Sequence, residues 1–268
     1  MTATDNALLT RLLRQGWADL REPRLEPVDA GMSDASVYRV HQDGQPLRYL
    51  KIAHHDAATL LRDEIARTQW LAGNGVTVPA TQRIDDSGDS VVVLSSALPG
   101  LPANAGQRPW PELIDAIAAG LAGLHAVPAL TCPFDETLAT RLRRAQSAID
   151  AGAVDAGHFA DRNATIEPAE LLARLIDTQP PQDLVVVHGD ATLNNILVDD
   201  RGYIGFVDCG NAGRGDRYVD LAVTANDIDE HFGSEAAARF ATAYAARAKK
   251  HAWDQAKADY YLDLYELF

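Results

Sequence analysis

Residues 185–198 read VVVHGDATLNNILV, and residues 205–210 read GFVDCG. The first stretch places His188, Gly189 and Asp190 after an apolar run, and Asn195 directly before a second apolar run. The second stretch ends a further apolar run with Asp208. Short apolar runs bounded by polar residues and glycine are typical of buried strands. The pattern therefore predicts polar loops between strands that carry two carboxylates and one amide.

These three side chains are of the types that phosphoryl transfer requires. One carboxylate must orient the attacking hydroxyl group, and a second carboxylate and an amide oxygen must hold Mg²⁺ against the nucleotide phosphates. Kinases carry them as H-R-D-x-x-x-x-N followed by D-F-G, and this chain reads H-G-D-x-x-x-x-N followed by D-C-G. Each piece alone is usually a turn or capping residue. The three together, at this spacing, predict a phosphotransfer site.

Lys51 is the candidate cation for the nucleotide phosphates. It is the only lysine before position 249, and it lies in the apolar run YLKI. A compact ammonium group acts as a point charge on phosphate, a role that arginine does not fill freely. The predicted partner of Lys51 is Glu64 in the following helix, with Asp63 as the competitor. The neighbouring Leu61 and Ile65 favour Glu64 for the inward-facing edge of that helix.

Residues 31–38, GMSDASVY, are the candidate phosphate-binding turn. They lack the full G-x-G-x-x-G pattern. One glycine followed by Ser33 and other small residues nevertheless exposes backbone N–H groups that suit a phosphate. A simple hairpin is the alternative for this stretch.

The chain divides into a strand-rich first third and a mostly helical remainder. In the first third, a helix is predicted over residues 57–72 between strands over residues 28–40, 47–52, 76–84 and 91–94. Residues 98–109, LPGLPANAGQRP, are rich in proline and glycine and predict a linker. Beyond the linker, the patterns predict helices over 111–125, 168–178 and 234–249 and strands over 184–187, 196–198 and 203–207. We predict an α+β fold with residues 1–94 as a first lobe, 95–109 as a hinge and 110–268 as a second lobe.

Net charge and cysteine content limit the partners. The 268 residues carry a net charge of −14, of which −3 falls on residues 1–94 and −11 on residues 95–268. Binding a polyanion needs a basic face, so we expect neither nucleic acid nor membrane as a partner, whereas a cationic ligand suits the second lobe. Only Cys132 and Cys209 are present, too few for a disulfide framework. No apolar run is typical of a signal peptide or a membrane span, so the predicted location is the cytoplasm.

Together these motifs resemble the aminoglycoside 3′-phosphotransferases, antibiotic kinases that share the protein-kinase fold. The resemblance covers almost the whole chain and rests on LVVVHGDATLNNILV, GFVDCG, GDRYVDLA and the ending YELF. It implies a small antiparallel β-sheet with one helix in the N-terminal lobe and a larger, mostly helical C-terminal lobe. It also implies transfer of the γ-phosphoryl group of ATP or GTP, with Mg²⁺, to an aminoglycoside hydroxyl, with the 3′ position expected. The implied role is antibiotic resistance, and the expected assembly is a monomer or weak dimer.

The resemblance also implies roles for individual residues. Asp190 would be the catalytic carboxylate, and Asn195 and Asp208 would hold magnesium. Lys51 with Glu64 would position the nucleotide phosphates.

The remaining nucleotide contacts implied by the resemblance lie mostly in the first lobe. Ser33 would touch the phosphates through its backbone. The adenine would lie between Tyr49 and Val207, and the backbone of Ser95 and Ala97 would face the edge of the base.

The acceptor contacts implied by the resemblance are acidic. The family binds its polycationic drug through carboxylates, and the matching groups here are Asp161, Glu230, Glu266 and the terminal carboxylate of Phe268. This chain departs from the family at four nearby positions, which are Arg162 in place of an acid, Asn211 and Asn226 in place of arginines, and Tyr265 in place of an aspartate.

Two alternatives stay open, and the departures motivate the first of them. One is a kinase of the same fold that phosphorylates another amine-bearing, hydroxylated metabolite. The other is a nucleotide-binding scaffold without turnover, which is disfavoured because Lys51, Asp190, Asn195 and Asp208 are all present.

Overall fold

The computed structural model describes residues 5, 8, 10–12, 17, 23–28, 35–105, 108–160, 162–248 and 252–268. Two of the predicted site residues, Ser33 and Asp161, lie outside this described part of the chain. The chain forms two compact units, Met1–Leu98 and Pro99–Phe268. The division falls inside the segment 95–109, whose role as a hinge stays a prediction.

The first unit is built on an antiparallel sheet with strand order β1-β2-β3-β5-β4. The strands are β1 (Arg24–Pro27), β2 (Ser36–His41), β3 (Arg48–His54), β4 (Thr81–Asp86) and β5 (Ser90–Ser96), and helix α1 (Asp56–Gly73) follows β3.

Three sequence predictions in this unit were wrong in detail. The strand expected over residues 28–40 is replaced by β1, which ends at Pro27, and β2. The strand expected from residue 76 begins only at Thr81, because Pro79 lacks the N–H group that a sheet ladder needs. One helix was expected, but the backbone at residues 10–12 is helical as well. Leu12 there is fully buried in the core.

The two faces of β3 bury different partners because side chains alternate along a strand. Leu50 and Ile52 lie in a core cluster with β2, β5 and Trp17. Ala53 lies on the other face, in a cluster with Leu61 and Ile65 of α1. Lys51 shares this second face by register. The face that carries Lys51 is therefore the face that α1 covers.

The second unit combines helices with short strands. The helices are α2 (Trp110–His125), α3 (Leu138–Asp150), α4 (Pro168–Asp177), α5 (Tyr218–Phe232), α6 (Ser234–Arg247) and α7 (Gln255–Tyr265). The strands are β6 (Leu101–Pro102), β7 (Leu184–Val187), β8 (Ile196–Val198), β9 (Ile204–Phe206) and β10 (Gly213–Asp216). Strand β7 pairs with β10, and β6, β8 and β9 form a second antiparallel sheet. Part of the expected linker is therefore strand β6.

The sequence analysis missed α3, α5, α7 and β10. Charged and polar residues interrupt the apolar pattern of these helices, as Arg141 does in α3, where it is buried. None of the helices in the described part of the chain combines the length and the hydropathy needed to cross a bilayer.

Candidate active site

In the first unit, Lys51 is paired with Glu64. The Lys51 Nζ lies 2.7 Å from Glu64 Oε2, and both side chains are largely buried, with 15% and 23% of their surfaces exposed. Because Lys51 lies on the sheet face that α1 covers, the inward-facing acid of that helix reaches it. The structure therefore selects Glu64 rather than Asp63 as the partner. The role of this pair toward a nucleotide stays a prediction.

The other nucleotide candidates of this unit lie near the end of β5. Tyr49 and Ser95 are directly opposite each other across the β3–β5 ladder. The Ala97 N–H donates a hydrogen bond to the Leu47 carbonyl at 3.1 Å. The N–H group of Ala97 is therefore engaged within the first unit, and the expectation that Ser95 and Ala97 offer backbone groups to the edge of a base stays a prediction.

In the second unit, Asp190 follows β7 and is held by Asn195. The Asn195 Nδ2 donates to the Asp190 Oδ2 at 2.9 Å and to the Asp190 backbone carbonyl at 3.0 Å. The Asn195 N–H donates to the Thr192 carbonyl at 3.0 Å, which closes a turn between them. Because Asn195 lies five residues after Asp190, its side chain can form hydrogen bonds with the residue at the start of the same loop.

Asp208 is brought beside this loop by the residue that precedes it. The Val207 N–H donates to the Asn195 carbonyl at 3.0 Å, and His188 Nε2 donates to the Val207 carbonyl at 2.8 Å. Asp208 itself has a left-handed backbone, with φ 56° and ψ 53°, a conformation that aspartate adopts more readily than most residues. Asp190, Asn195 and Asp208 therefore lie at one end of the β8–β9 hairpin.

Gly189 explains why this loop reads H-G-D rather than H-R-D. Its φ is +87°, and a Cβ at this position would collide with the Asn211 backbone carbonyl. A side chain is therefore excluded twice, by the backbone conformation and by the close approach of the segment after Asp208.

The donor set at this end of the hairpin fits a hard divalent cation. Carboxylate and amide oxygens are the ligands that Mg²⁺ prefers. Because Asn195 Nδ2 faces Asp190, its amide oxygen is the atom left for a cation beside Asp208. The described residues contain no group of three or more His, Cys, Asp or Glu residues arranged for a metal. A cation here would therefore depend on one amide oxygen as well as on carboxylates.

A tyrosine contacts Asp190 from the C-terminal helix. The Tyr265 hydroxyl donates to the Asp190 Oδ1 at 2.9 Å. The pKa of Tyr265 is raised by loss of water around the phenol and by the charge of Asp190. The phenol therefore stays protonated at neutral pH and acts as a donor.

Further acids lie on α5, and one of them, Asp227, contacts the loop that carries Asp190. Asp227 of α5 accepts a hydrogen bond from the Leu193 N–H at 2.8 Å, and burial raises its pKa, with the charges of Glu230 and Asp190 adding to the effect. Glu230, one turn further along α5, is exposed and bonded to Asn226 Nδ2 at 2.8 Å. The sequence analysis missed Asp227, although it lies three positions before Glu230 on the same helix. Together these acids give the surroundings of Asp190 a negative potential.

The predicted acceptor residue Glu266 belongs to a C-terminal ion-pair cluster, which we define as Arg162, Asn163, Arg174, Asp263 and Glu266. Arg162 Nε lies 2.6 Å from Asp263 Oδ1, and its Nη2 lies 3.4 Å from Glu266 Oε1. Asn163 Nδ2 donates to both acids, and Arg174 donates to Asp263 at 2.8 Å. The charge of Glu266 is therefore partly offset by Arg162. The ring of Phe268 lies against the Arg141 guanidinium, 5.5 Å from its centre.

The profile of the phosphotransferase enzyme family matches residues 24–258. The chain belongs to this family. It is 33% identical over 223 residues to an aminoglycoside 3′-phosphotransferase of Escherichia coli, covering 80% of each protein. It is also 34% identical over 249 residues to a streptomycin 3′′-kinase of Streptomyces griseus, covering 88% of this chain and 89% of that protein.

Solved structures of the phosphotransferase family share the fold. An aminoglycoside 3′-phosphotransferase of type VIII has a TM-score of 0.85 and 31% identity, covering 96% of this chain and 97% of that one. APH(3′′)-Id of Streptomyces rimosus, in complex with ADP and streptomycin, has a TM-score of 0.81 and 29% identity, covering 97% and 98%. The resemblance drawn from the sequence and the kinase-like α+β fold are therefore confirmed.

In this phosphotransferase, Asp220 supports the loop that carries Asp190. Its Oδ2 accepts the His188 N–H and its Oδ1 accepts the Gly189 N–H, both at 2.8 Å. His125 Nε2 lies 3.0 Å from the same carboxylate, and both side chains are buried. The sequence analysis gave Asp220 no role. The available signal was a lone acid within the apolar stretch YVDLAV.

A second support for the loop is Arg141 of α3. Its Nη2 donates to the Gly189 carbonyl at 2.6 Å, and its guanidinium contacts the ring of Phe268. The C-terminus of this phosphotransferase is therefore linked to the loop that carries Asp190 through one buried arginine.

Replacing Lys51 by methionine should lower kcat/KM for the nucleotide by about 10- to 100-fold, the value of one charge-assisted contact to phosphate. Steady-state kinetics with varied nucleotide would measure the effect. Arg62→Met, which removes an exposed cation of α1 that pairs with Asp86, is the matched control and should change the ratio less than twofold. Equal effects of the two variants would contradict a phosphate-binding role for Lys51.

Proposed function

We propose that this chain is an aminoglycoside phosphotransferase, which transfers the γ-phosphoryl group of a nucleoside triphosphate to a hydroxyl of an aminoglycoside and so gives resistance. The observation that carries the proposal is the arrangement of Asp190. One of its carboxylate oxygens is fixed by Asn195, and the other accepts a hydrogen bond from a hydroxyl group, that of Tyr265. A carboxylate fixed on one side and open to an O–H donor on the other suits the orientation of an attacking alcohol.

The proposed tasks are divided among five residues, of which Asn195 has two. Asp190 accepts the hydrogen bond of the acceptor hydroxyl and takes its proton as the hydroxyl oxygen bonds to the γ-phosphorus, while the bond from that phosphorus to the β-bridging oxygen breaks and the nucleoside diphosphate leaves. Asn195 keeps the Asp190 carboxylate in one rotamer. Asn195 and Asp208 would hold Mg²⁺, which when bound offsets the charge of the phosphates. Lys51, fixed by Glu64, neutralises the phosphates of the donor.

The acceptor class follows from charge. Residues 95–268 carry a net charge of −11, and Asp227 lies close enough to Asp190 and to Glu230 for both charges to raise its pKa. A negative potential raises the local concentration of a polyamine sugar. We keep Asp161, Glu230, Glu266 and the Phe268 carboxylate as proposed acceptor contacts. The adenine contacts of Tyr49, Val207, Ser95 and Ala97, and the phosphate contact of Ser33, stay predictions.

The test is turnover by the purified enzyme with Mg²⁺ and either ATP or GTP. Kanamycin, neomycin and streptomycin serve as acceptors, since related proteins act on 3′ or 3′′ hydroxyls by name. Phosphorus NMR of the product identifies the modified hydroxyl, which we propose is the 3′ position. The absence of any phosphorylated product at millimolar drug would overturn the proposal.

Arg162→Ala should lower KM for a polycationic aminoglycoside by about two- to fivefold at low salt and leave kcat unchanged. Arg162 offsets the negative charges of Asp263 and Glu266, so its removal leaves more negative charge to attract the cationic drug. The gain should shrink at high ionic strength because exposed charges are screened. Arg143→Ala, at another exposed arginine of the same unit, is the control. A KM that stays unchanged or rises would contradict the prediction.

The C-terminal ion-pair cluster favours one second candidate, a kinase for an amine-bearing hydroxylated metabolite with fewer charges than an aminoglycoside. Arg162 and Arg174 both contact Asp263, which leaves less free negative charge for a polyamine. Turnover of small amino alcohols in the same assay, together with failure of every aminoglycoside, would select this candidate.

A further inference from the structure

We propose that Tyr265 occupies the place of the acceptor hydroxyl at Asp190, and that an acceptor must displace it in order to react. This inference rests on the proposed function, because it takes Asp190 as the group that orients the acceptor. Tyr265 is then a specificity-determining residue. It admits only acceptors that bind strongly enough to replace its hydrogen bond.

The first support is the length of the Tyr265–Asp190 hydrogen bond, which matches the length expected for a hydrogen bond from an acceptor hydroxyl to Asp190. A hydroxyl acceptor must approach a catalytic carboxylate to about 2.6–3.2 Å. The Tyr265 hydroxyl meets this requirement, since it donates to Asp190 Oδ1 at 2.9 Å. The other oxygen, Oδ2, is taken by Asn195 at 2.9 Å. Tyr265 therefore holds the oxygen that Asn195 leaves open.

The second support is the protonation of the phenol. Its pKa is raised, so at neutral pH the group is an O–H donor, as an alcohol acceptor is. A phenolate would instead be repelled by Asp190.

The third support is the position of Tyr265 in the fold. It is the last residue of α7, and 37% of its surface is exposed. An acceptor arriving from solvent can therefore reach the Tyr265–Asp190 contact. Displacement of the phenol would require a rotation of the Tyr265 side chain at the end of α7.

Two consequences follow for the reaction. Water is a weak competitor for a hydrogen bond that Tyr265 already makes, so the phenol limits wasteful hydrolysis of the nucleotide. In that side reaction the water oxygen bonds to the γ-phosphorus, the bond to the β-bridging oxygen breaks, and Asp190 takes the water proton. An acceptor that makes several other contacts with the enzyme offsets the loss of the Tyr265–Asp190 hydrogen bond, so it can displace the phenol and react.

The test is Tyr265→Phe, which removes the hydroxyl and keeps the ring. We expect nucleotide hydrolysis without acceptor to rise at least fivefold, measured as release of nucleoside diphosphate with Mg²⁺ present. We also expect KM for the acceptor to fall about threefold with kcat at saturation unchanged. Tyr203→Phe, at an exposed tyrosine of the same unit, is the control and should change neither quantity.

Two results would overturn the inference. Hydrolysis that stays at the level of the unmodified enzyme would show that the phenol does not exclude water. A fall in kcat with unchanged KM would show that Tyr265 helps Asp190 to act rather than competing with the acceptor. Addition of Asp190→Ala to Tyr265→Phe should remove the extra hydrolysis, and its persistence would count against Asp190 as its source.

The hydrolysis measurement needs no aminoglycoside, so it separates the two proposals. If the unmodified enzyme phosphorylates no aminoglycoside, the proposed acceptor class fails, while the hydrolysis of the Tyr265→Phe variant still tests the role of the phenol.

Discussion

Replacing Asp190 by asparagine should lower kcat by about 10²- to 10⁴-fold, the usual contribution of one positioned acid or base. The asparagine keeps the size of the side chain and one oxygen that can accept a hydrogen bond. It cannot take the proton of the acceptor hydroxyl, because an amide is not basic. Nucleotide binding should change little, since the Lys51–Glu64 pair lies in the other unit and is untouched.

The measurement has two arms, steady-state kcat and the Kd of the nucleotide by titration calorimetry. Asp200→Asn is the matched control, because Asp200 is an exposed acid of the same unit that lies one strand away from the catalytic loop, just after β8. A variant at position 190 that keeps a tenth or more of kcat would remove Asp190 from its proposed role. If the unmodified protein binds nucleotide but transfers phosphate to no acceptor, the scaffold alternative would be favoured instead.

The loop that carries Asp190 and Asn195 could be predicted from the sequence because its geometry is local. Asn195 lies five residues after Asp190 and forms hydrogen bonds with it, so the spacing in the sequence is enough to predict the contact. The Lys51–Glu64 pair was predictable for a related reason. Helix α1 follows β3 after one residue, and the apolar face of that helix fixes which acid points inward.

The acceptor side could not be predicted because its contacts join distant parts of the chain. Tyr265 and Asp190 are 75 positions apart, and Arg162 and Asp263 are 101 apart. Such pairs depend on how α7 packs in the second unit. Helix α7 itself was missed because polar residues interrupt its pattern of apolar residues. The departures at Arg162 and Tyr265 were visible in the sequence, but their partners were not.

Asp220 is buried for a reason that composition does not reveal. A carboxylate inside a protein requires several donors, and here the backbone N–H groups of His188 and Gly189 and the ring of His125 supply them. Burial alone would raise the pKa of Asp220, but the hydrogen bond and charge of His125 and the contacts with His188 lower it overall. The folded state therefore favours the charged carboxylate.

Asp220→Asn should destabilise the protein by about 3 kcal/mol, because an amide group must now face several N–H donors with only one oxygen. For a protein of this size the expected fall in Tm is about 6–12 °C. The variant should also lose activity in proportion to the unfolded fraction, and more if the Asp190 loop shifts. Urea denaturation with an unchanged m-value would show that the effect is on stability rather than on compactness.

The stabilisation by Asp220 should depend on pH in a definite direction. Since the folded-state pKa of Asp220 lies below its ordinary value near 4, its contribution is complete above that value and is lost as the pH falls through the lowered pKa. The difference in free energy of unfolding between the unmodified protein and Asp220→Asn should therefore be constant near neutral pH and shrink below about pH 4. Asp229→Asn, at an exposed acid of the same helix, is the matched control and should change the free energy of unfolding at neutral pH by less than about 0.5 kcal/mol. A variant at position 220 as stable as that control would mean that the buried carboxylate does not hold the catalytic loop.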